Sequence, residues 1–291
     1  MRIDEMFRNN DVTISLEVFP PKVESSFEPV VRAVEQLSAC NPNYMSVTFG
    51  AGGGTSKNTL EIASYIQQGL STTALAHLSC VSSSRQEIST IIDSLKTAGI
   101  ENILALRGDI PNGMPFPEAG YYKYAYQLIE DIKNSGVFCI GAACYPEGHI
   151  ECTNKADDMD YLKAKVDSGC DFLVTQMFFD NNVLYSFLYN ALRKGINIPI
   201  TAGVMPVTNS RQIKRICDLA GTSLTPKFKT IVDKFGEKPE ALKQAGIAYA
   251  TDQIVDLIAN GVKGIHIYTM NKPDVALQIM TNLSDILNVS R

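Results

Sequence analysis

Eight short apolar or β-branched runs recur along the chain, at residues 13–19, 44–48, 73–78, 102–106, 137–145, 172–176, 199–204 and 264–268. Each is almost unbroken in hydrophobicity, as a strand must be when both of its faces are covered. Between the runs lie stretches with apolar residues three and four apart, at 27–37, 60–67, 88–95, 124–132, 162–166, 183–192 and 213–219. That is the spacing of one helix face. Strand and helix therefore alternate throughout, and few architectures accommodate this. A doubly wound sheet also alternates, but eight βα units without a Pro/Gly/Ser-rich linker fit a single closed (β/α)8 TIM barrel over residues 1–291 better. The stretch of roughly 60 residues between Val204 and Gly264 is too long for one loop. It predicts extra helices between strands 7 and 8, one of them over 238–259 behind the start signal Glu237-Lys238-Pro239.

Local punctuation agrees with this reading. Ser84-Arg85-Gln86-Glu87 has the form of a capping box, in which the Ser hydroxyl accepts from the amide three residues on while the Glu side chain reaches back. Gly99, Gly136, Gly169 and Gly195 each follow a helical stretch and precede a strand, where a left-handed residue ends the helix.

Composition narrows the function classes. Apolar residues make up 45% and charged residues 20% of the chain, ordinary globular usage that excludes a disordered or collagen-like polymer. The net charge of −5 and the lack of any basic block argue against nucleic acid as a partner. The apolar stretch 137–145 is half the length that a membrane-spanning helix needs, and Met1-Arg2-Ile3-Asp4-Glu5 shows no signal-peptide character, so a cytoplasmic protein without a membrane partner is expected. Seven Cys form no C-x-x-C pair and leave an odd number, which suggests neither a zinc site nor a closed disulfide set. The three His (His77, His149 and His266) have no i, i+4 pair, so no metal is expected.

In a barrel of this kind, chemistry sits at the C-terminal ends of the strands. Reading each run to its end brings Glu17, Thr48, His77, Arg107 with Asp109, Tyr145 with His149, Gln176, Met205-Pro206 and Tyr268 to one rim. Glu17 stands between apolar neighbours and a stiff Pro20-Pro21 corner. Desolvation there should raise its pKa toward that of a general acid, while a strand-end Glu paired with a Lys is the alternative. Asp109 follows Arg107 across one Gly, so a structural ion pair and a catalytic carboxylate both fit. The loop Gly50-Ala51-Gly52-Gly53-Gly54 could approach a ligand closely but matches neither a P-loop nor G-x-G-x-x-G. His77 and His149 suit hydrogen-bonding to a polar ligand, and a ring from the Tyr121–Tyr126 set could face a planar one.

Seven segments then occur together in one order: Leu16-Glu17-Val18-Phe19-Pro20-Pro21, Ser46-Val47-Thr48-Phe49-Gly50-Ala51, His77-Leu78-Ser79-Cys80, Ala105-Leu106-Arg107-Gly108-Asp109, Ala143-Cys144-Tyr145-Pro146-Glu147-Gly148-His149, Thr175-Gln176-Met177-Phe178-Phe179-Asp180 and His266-Ile267-Tyr268-Thr269-Met270-Asn271. In this order and spacing the chain resembles the bacterial methylenetetrahydrofolate reductase family over almost its whole length. The resemblance implies an FAD-containing (β/α)8 barrel that reduces 5,10-methylenetetrahydrofolate to 5-methyltetrahydrofolate with NADH or NADPH, a step of one-carbon metabolism toward methionine. Glu17 is then the general acid that protonates the leaving folate nitrogen as the five-membered ring opens, giving an iminium that accepts hydride from reduced flavin. Asp109 is the carboxylate that orients folate and stabilises developing positive charge.

The resemblance carries FAD contacts to Thr48, Phe49, Ala51, His77, Arg107, Gly108, Asp109, Tyr124, Ala125, Tyr145, His149, Asp158 and Lys165. Arg107 and Lys165 would meet the diphosphate. It carries folate and nicotinamide contacts to Asp109, Gln176, Gln212 and Lys272, and it leaves room for a homo-oligomer. The chain also departs from the pattern. Tyr161 and Ala164 stand where bacterial members have Asn and Arg near the FAD, and Lys272 stands for an Arg near the folate tail. Ile216 stands where an aromatic stacks on nicotinamide or folate, which leaves two electron sources open: a nicotinamide, or an iron–sulfur partner subunit as in some anaerobes. Two other readings stand beside the reductase. One is a flavin-free barrel lyase using paired acids, with no Lys in any strand run for a Schiff base. The other is a binding subunit that turns over only with a partner.

Overall fold

The computed structural model describes residues 1–21, 27–49, 56–110 and 120–289. A short helix α1 (Ile3–Asn9) precedes β1 (Thr13–Val18), and strands and helices then alternate as α2 (Phe27–Ser38), β2 (Tyr44–Val47), α3 (Ser56–Ser64), β3 (Thr73–Ser79), α4 (Arg85–Thr97), β4 (Asn102–Leu106) and α5 (Ala125–Asn134). The second half continues through β5 (Cys139–Cys144), α6 (Lys155–Asp167), β6 (Phe172–Thr175), α7 (Asn181–Arg193) and β7 (Ile200–Val204). Helices α8 (Ser210–Ala220), α9 (Pro226–Phe235) and α10 (Pro239–Ala259) fill the long gap before β8 (Gly264–Tyr268), and α11 (Pro273–Asn282) and α12 (Ser284–Val289) follow. All neighbouring strands are parallel, and β1 pairs with both β2 and β8, so the sheet closes into the expected eight-stranded barrel.

Alternation along the strands explains how buried runs can also carry chemistry. On β1, Ile14, Leu16 and Val18 join the outer core with Val34 and Leu37 of α2 and Ile279 of α11. Ser15 and Glu17, the letters between, face the barrel axis. On β3, Ala74, Ala76 and Leu78 pack outward, leaving Leu75 and His77 inward. The N-terminal end of the interior is apolar: Tyr44, Leu75, Leu104, Cys139 and Phe172 cluster there with Ile3 and Met6 of α1, which plugs the barrel floor. Asn102, fully buried, ties this plug down by accepting from the Ile3 amide at 2.9 Å and donating to the carbonyls of Met1 (3.1 Å) and Ala74 (3.2 Å). Gly141 leaves room for the Phe172 ring, which a Cβ would meet at 2.5 Å. Toward the C-terminal end the interior turns polar, with Ser15, Ser46, Glu17, His77 and His266 all buried.

The capping box forms as read, the Glu87 amide donating to Ser84 Oγ (3.3 Å) and the Ser84 amide to Glu87 Oε2 (2.7 Å). Gly99, Gly136, Gly169 and Gly195 all take positive φ, from +72° to +110°. Of the boundaries that differ from expectation, three bear on the packing or the site. The fifth strand spans two residues fewer at its start, with Val137 at the surface. Helix α3 begins earlier than expected and passes into a π-helical turn at Tyr65–Gly69, where the Gln67 side chain accepts the amide of Ala74, the second residue of the next strand. Helix α6 starts at Lys155, seven residues ahead of the apolar pattern, under an Asn154 cap that accepts from the Ala156 amide. Among the described residues, no helix is long and apolar enough to cross a membrane.

Candidate active site

A cavity of about 860 Å³ opens at the C-terminal end of the barrel, over β1 to β5 and along α6. Glu17 lies on its floor with only 5% of its surface exposed. Strand pairing sets its surroundings: Glu17 is in register with Ser46 on β2 and Tyr268 on β8, and Ser15 with His266. Its Oε2 is 3.4 Å from His266 Nε2 and 3.7 Å from His77 Nε2, so the carboxyl faces two imidazoles and not a lysine. Ser15 Oγ lies 2.8 Å from the far nitrogen of His266, Nδ1, which fixes that ring from behind. His266 in turn packs edge-on against Tyr268, whose hydroxyl donates to the Thr175 carbonyl at 2.7 Å.

His77 Nε2 is buried and has no hydrogen-bond partner among the described residues. Burial pushes the pKa of this imidazole down from 6.5 to about 4, against the pull of Glu17, so the ring is neutral near pH 7. A folded-state value below the unfolded one means that the unfolded chain takes up the proton first. His77 therefore stabilises the fold fully above pH 6.5, and that contribution is lost as the pH falls toward about 4, with a slope of up to about 1.4 kcal/mol per pH unit. Urea unfolding at pH 7 and pH 5 should show a smaller loss of stability in His77→Gln than in the parent. Equal losses in the two proteins would refute this assignment.

The other predicted cofactor residues converge on the same cavity. Thr48 and Phe49 line it beside β2, and Arg107, Gly108 and Asp109 line it after β4. Tyr124 and Ala125 at the start of α5, Tyr145 and His149 after β5, and Asp158 and Lys165 on α6 complete the wall. Ala51, with the glycine-rich stretch 50–54, lies outside the described residues. Gly108 takes φ +81° where a Cβ would press on Ser79 at 3.0 Å, so glycine is required for the turn that presents Arg107. Asp109 is exposed on the cavity wall, and Arg107 pairs instead with Glu151, a bidentate contact at 2.5 and 2.6 Å. The Lys165 ammonium donates to the Ala143 carbonyl at 2.6 Å, and burial lowers its pKa. Burial raises the Tyr145 phenol to about 12, and Tyr145 stacks edge-on with His149 at 4.6 Å. Tyr161 and Ala164 also face the cavity, so these two of the four departures from the family pattern fall on the wall.

Gln176, Gln212 and Lys272 are not among the cavity-lining residues. They sit on the β6–β8 side, where Gln176 Oε1 accepts the Met177 amide (2.9 Å), Gln212 lies in the first turn of α8 under the Asn209 cap, and Lys272 donates to Thr208 Oγ1 (2.6 Å). An apolar cluster of Met177, Phe179, Met205, Val207, Ile213 and Phe228 fills this side, with Ile216 and Tyr268 packed against it. Sequence reasoning missed His266 and Ser15 as neighbours of Glu17, and Glu151 as the partner of Arg107. The first pair becomes readable only when β8 is set beside β1, in a register that brings Ser15 opposite His266.

The family model described as methylenetetrahydrofolate reductase matches residues 2–284. The chain belongs to the methylenetetrahydrofolate reductase family. It is 33% identical over 295 aligned residues to a probable methylenetetrahydrofolate reductase (NADH) of Oryza sativa subsp. japonica, covering 97% of this chain and 50% of that protein. It is 31% identical to the 5,10-methylenetetrahydrofolate reductase of Pectobacterium carotovorum subsp. carotovorum, covering 96% of this chain and 93% of that one. The chain thus spans about half the length of the plant relative and most of the bacterial one. An uncharacterized Clostridium thermocellum protein, described as binding two copies of 5-methyl-5,6,7,8-tetrahydrofolic acid, shares the fold at TM-score 0.68 and 13% identity, with 99% of each chain covered.

Proposed function

We propose that this chain reduces 5,10-methylenetetrahydrofolate to 5-methyltetrahydrofolate, with FAD held in the cavity and Glu17 as the proton donor. The observation that carries the reading is the buried Glu17 carboxyl on the cavity floor, between the His77 and His266 rings. Three features of the wall support a flavin dinucleotide there. His77 presents an unpartnered ring nitrogen, the Gly108 turn admits close approach, and Arg107 and Lys165 supply positive charge suited to a diphosphate. Thr48, Phe49, Tyr124, Ala125, Tyr145, His149 and Asp158 would hold the remainder, and Ala51 joins them by resemblance alone. When bound, FAD supplies the hydride that completes the reduction.

The protein's own groups do the rest. Glu17, shielded from water, delivers a proton to the folate nitrogen released on ring opening, and its position on the floor limits loss of that proton to solvent. Asp109 at the rim supplies fixed negative charge to positive charge developing on the substrate. Gln176, Gln212 and Lys272 would read the pterin and the folate tail from the β6–β8 side, Lys272 as a point charge without the bidentate geometry of an arginine. NADH or NADPH is the electron source in the first reading, in line with the NADH named for the plant relative. The packing of Ile216 into the apolar cluster, with no ring to offer a nicotinamide, favours a second reading with an iron–sulfur partner as donor.

The purified chain is expected to be yellow, or to become so on adding FAD, to bleach on reduction and to regain colour with methylenetetrahydrofolate. Absorbance near the flavin bands checks this, and a protein that takes up no flavin on reconstitution would defeat the proposal. Supplying NADH and, separately, reduced viologen dye to the lone chain separates the two donors: oxidation of NADH supports the first, and turnover with viologen alone supports the second.

A further inference from the structure

We propose that Thr269 and Asn271, in the loop after β8, are positioning residues for Glu17, clamping the end of β1 from across the seam where the barrel closes. The inference rests on the reading of Glu17 as the proton donor. The β1–β8 ladder ends at the pair Glu17 and Tyr268, so the next polar groups of β1 have no strand partner on that side. Side chains take over there. Thr269, almost fully buried, donates its hydroxyl to the Glu17 carbonyl at 2.6 Å. Asn271 accepts the Phe19 amide at 2.8 Å and donates to the Phe19 carbonyl at 2.9 Å, so one side chain satisfies both backbone groups of one residue. The Asn271 amide donates to Thr269 Oγ1 at 3.2 Å, which joins the two contacts into one unit.

Backbone conformation points the same way. Met270 and Asn271 both take φ +54°, in the left-handed region that non-glycine residues seldom adopt and that a methionine has no local means to favour. Two such residues in succession turn the chain so that the Asn271 amide reaches Phe19. Strain of this kind persists where the surroundings over-determine it, and it concentrates at functional sites. On the far side of Phe19, Pro20 and Pro21 have no N–H to anchor the strand end. The two-sided hold from the β8 loop therefore fixes the backbone from which the Glu17 side chain projects. A shift of an ångström at a reacting group costs rate even when the group remains present.

The test uses the FAD-loaded protein, photoreduced and then mixed with methylenetetrahydrofolate, with flavin reoxidation followed in single turnover. The variants are Thr269→Val, Thr269→Ser and Asn271→Gly, each alone and combined with Glu17→Gln. Thr269→Val keeps the shape and removes the hydroxyl, and Asn271→Gly keeps the left-handed backbone and removes the side chain. Each is expected to slow reoxidation at least tenfold with an unchanged flavin spectrum and folate KM. Thr269→Ser should recover the rate to within twofold, and neither loss should appear in the Glu17→Gln background. Hydrogen exchange of the Phe19 amide in the flavin-free protein should accelerate at least tenfold in Asn271→Gly, an independent readout of the clamp. Unchanged reoxidation in both variants, or the same further slowing when Glu17 is already Gln, would overturn the proposal while leaving the reductase reading intact. Full-rate reoxidation in Glu17→Gln alone would remove the proton-donor role itself, and the positioning role with it.

Discussion

Glu17→Gln is expected to lower methylenetetrahydrofolate turnover by about 10²–10⁴-fold, the range for removing a positioned general acid. Glutamine keeps the size and hydrogen-bonding capacity of the side chain at a site where Oε2 faces His266 and His77, so the cavity keeps its shape. What it lacks is the proton. Reduction of added FAD should proceed within a few-fold of the parent, because in the proposed mechanism that half-reaction does not use the acid. Stopped-flow measurement of the two half-reactions decides the matter. Losses of equal size in both would mean that residue 17 supports the site structurally and donates nothing.

Among the glycines of the described residues, Gly246→Ala should be the most costly substitution, at about 3 kcal/mol or more. Gly246 lies mid-way along α10, where the helix meets the backbone of Val207 in the segment after β7. An added Cβ would overlap the Val207 carbonyl oxygen and lie 2.8 Å from its carbon. Neither partner is a flexible side-chain end, so relief requires α10 to move off the barrel. Residues flanking Gly246 carry that packing, since Leu242, Ile247, Ala250 and Ile254 are all buried. Denaturant titration of the variant measures the loss. A change under about 1 kcal/mol would show that α10 sits farther from Val207 than the structure has it.

The barrel was legible because covered strands announce themselves as unbroken apolar runs, and eight of them leave few alternatives. Legibility failed where a helix faces something other than the core. The first half of α6 shows no apolar period because Asp157, Asp158 and Tyr161 face the cavity, so its polar lead-in reads as loop. Helix α1 has seven residues, too few to display a period, yet it closes the barrel floor. At the site, each strand end could be read from its own segment, which brought Glu17, His77, Arg107 and Tyr145 together. Partnerships across distance could not be read. Glu151 meets Arg107 from 44 residues away, and His266 meets Glu17 across the closing seam of the sheet.

The alternation along the strands has a consequence for how such a chain can change. Leu16 and Glu17 are adjacent letters, yet one answers to the outer core and the other to the ligand cavity. Durability and reactivity are thus written on interleaved positions of the same segment, and selection can edit one set while holding the other constant. A library that randomises only the axis-facing positions of β1, β3 and β8 would explore new catalysts on a scaffold that still assembles.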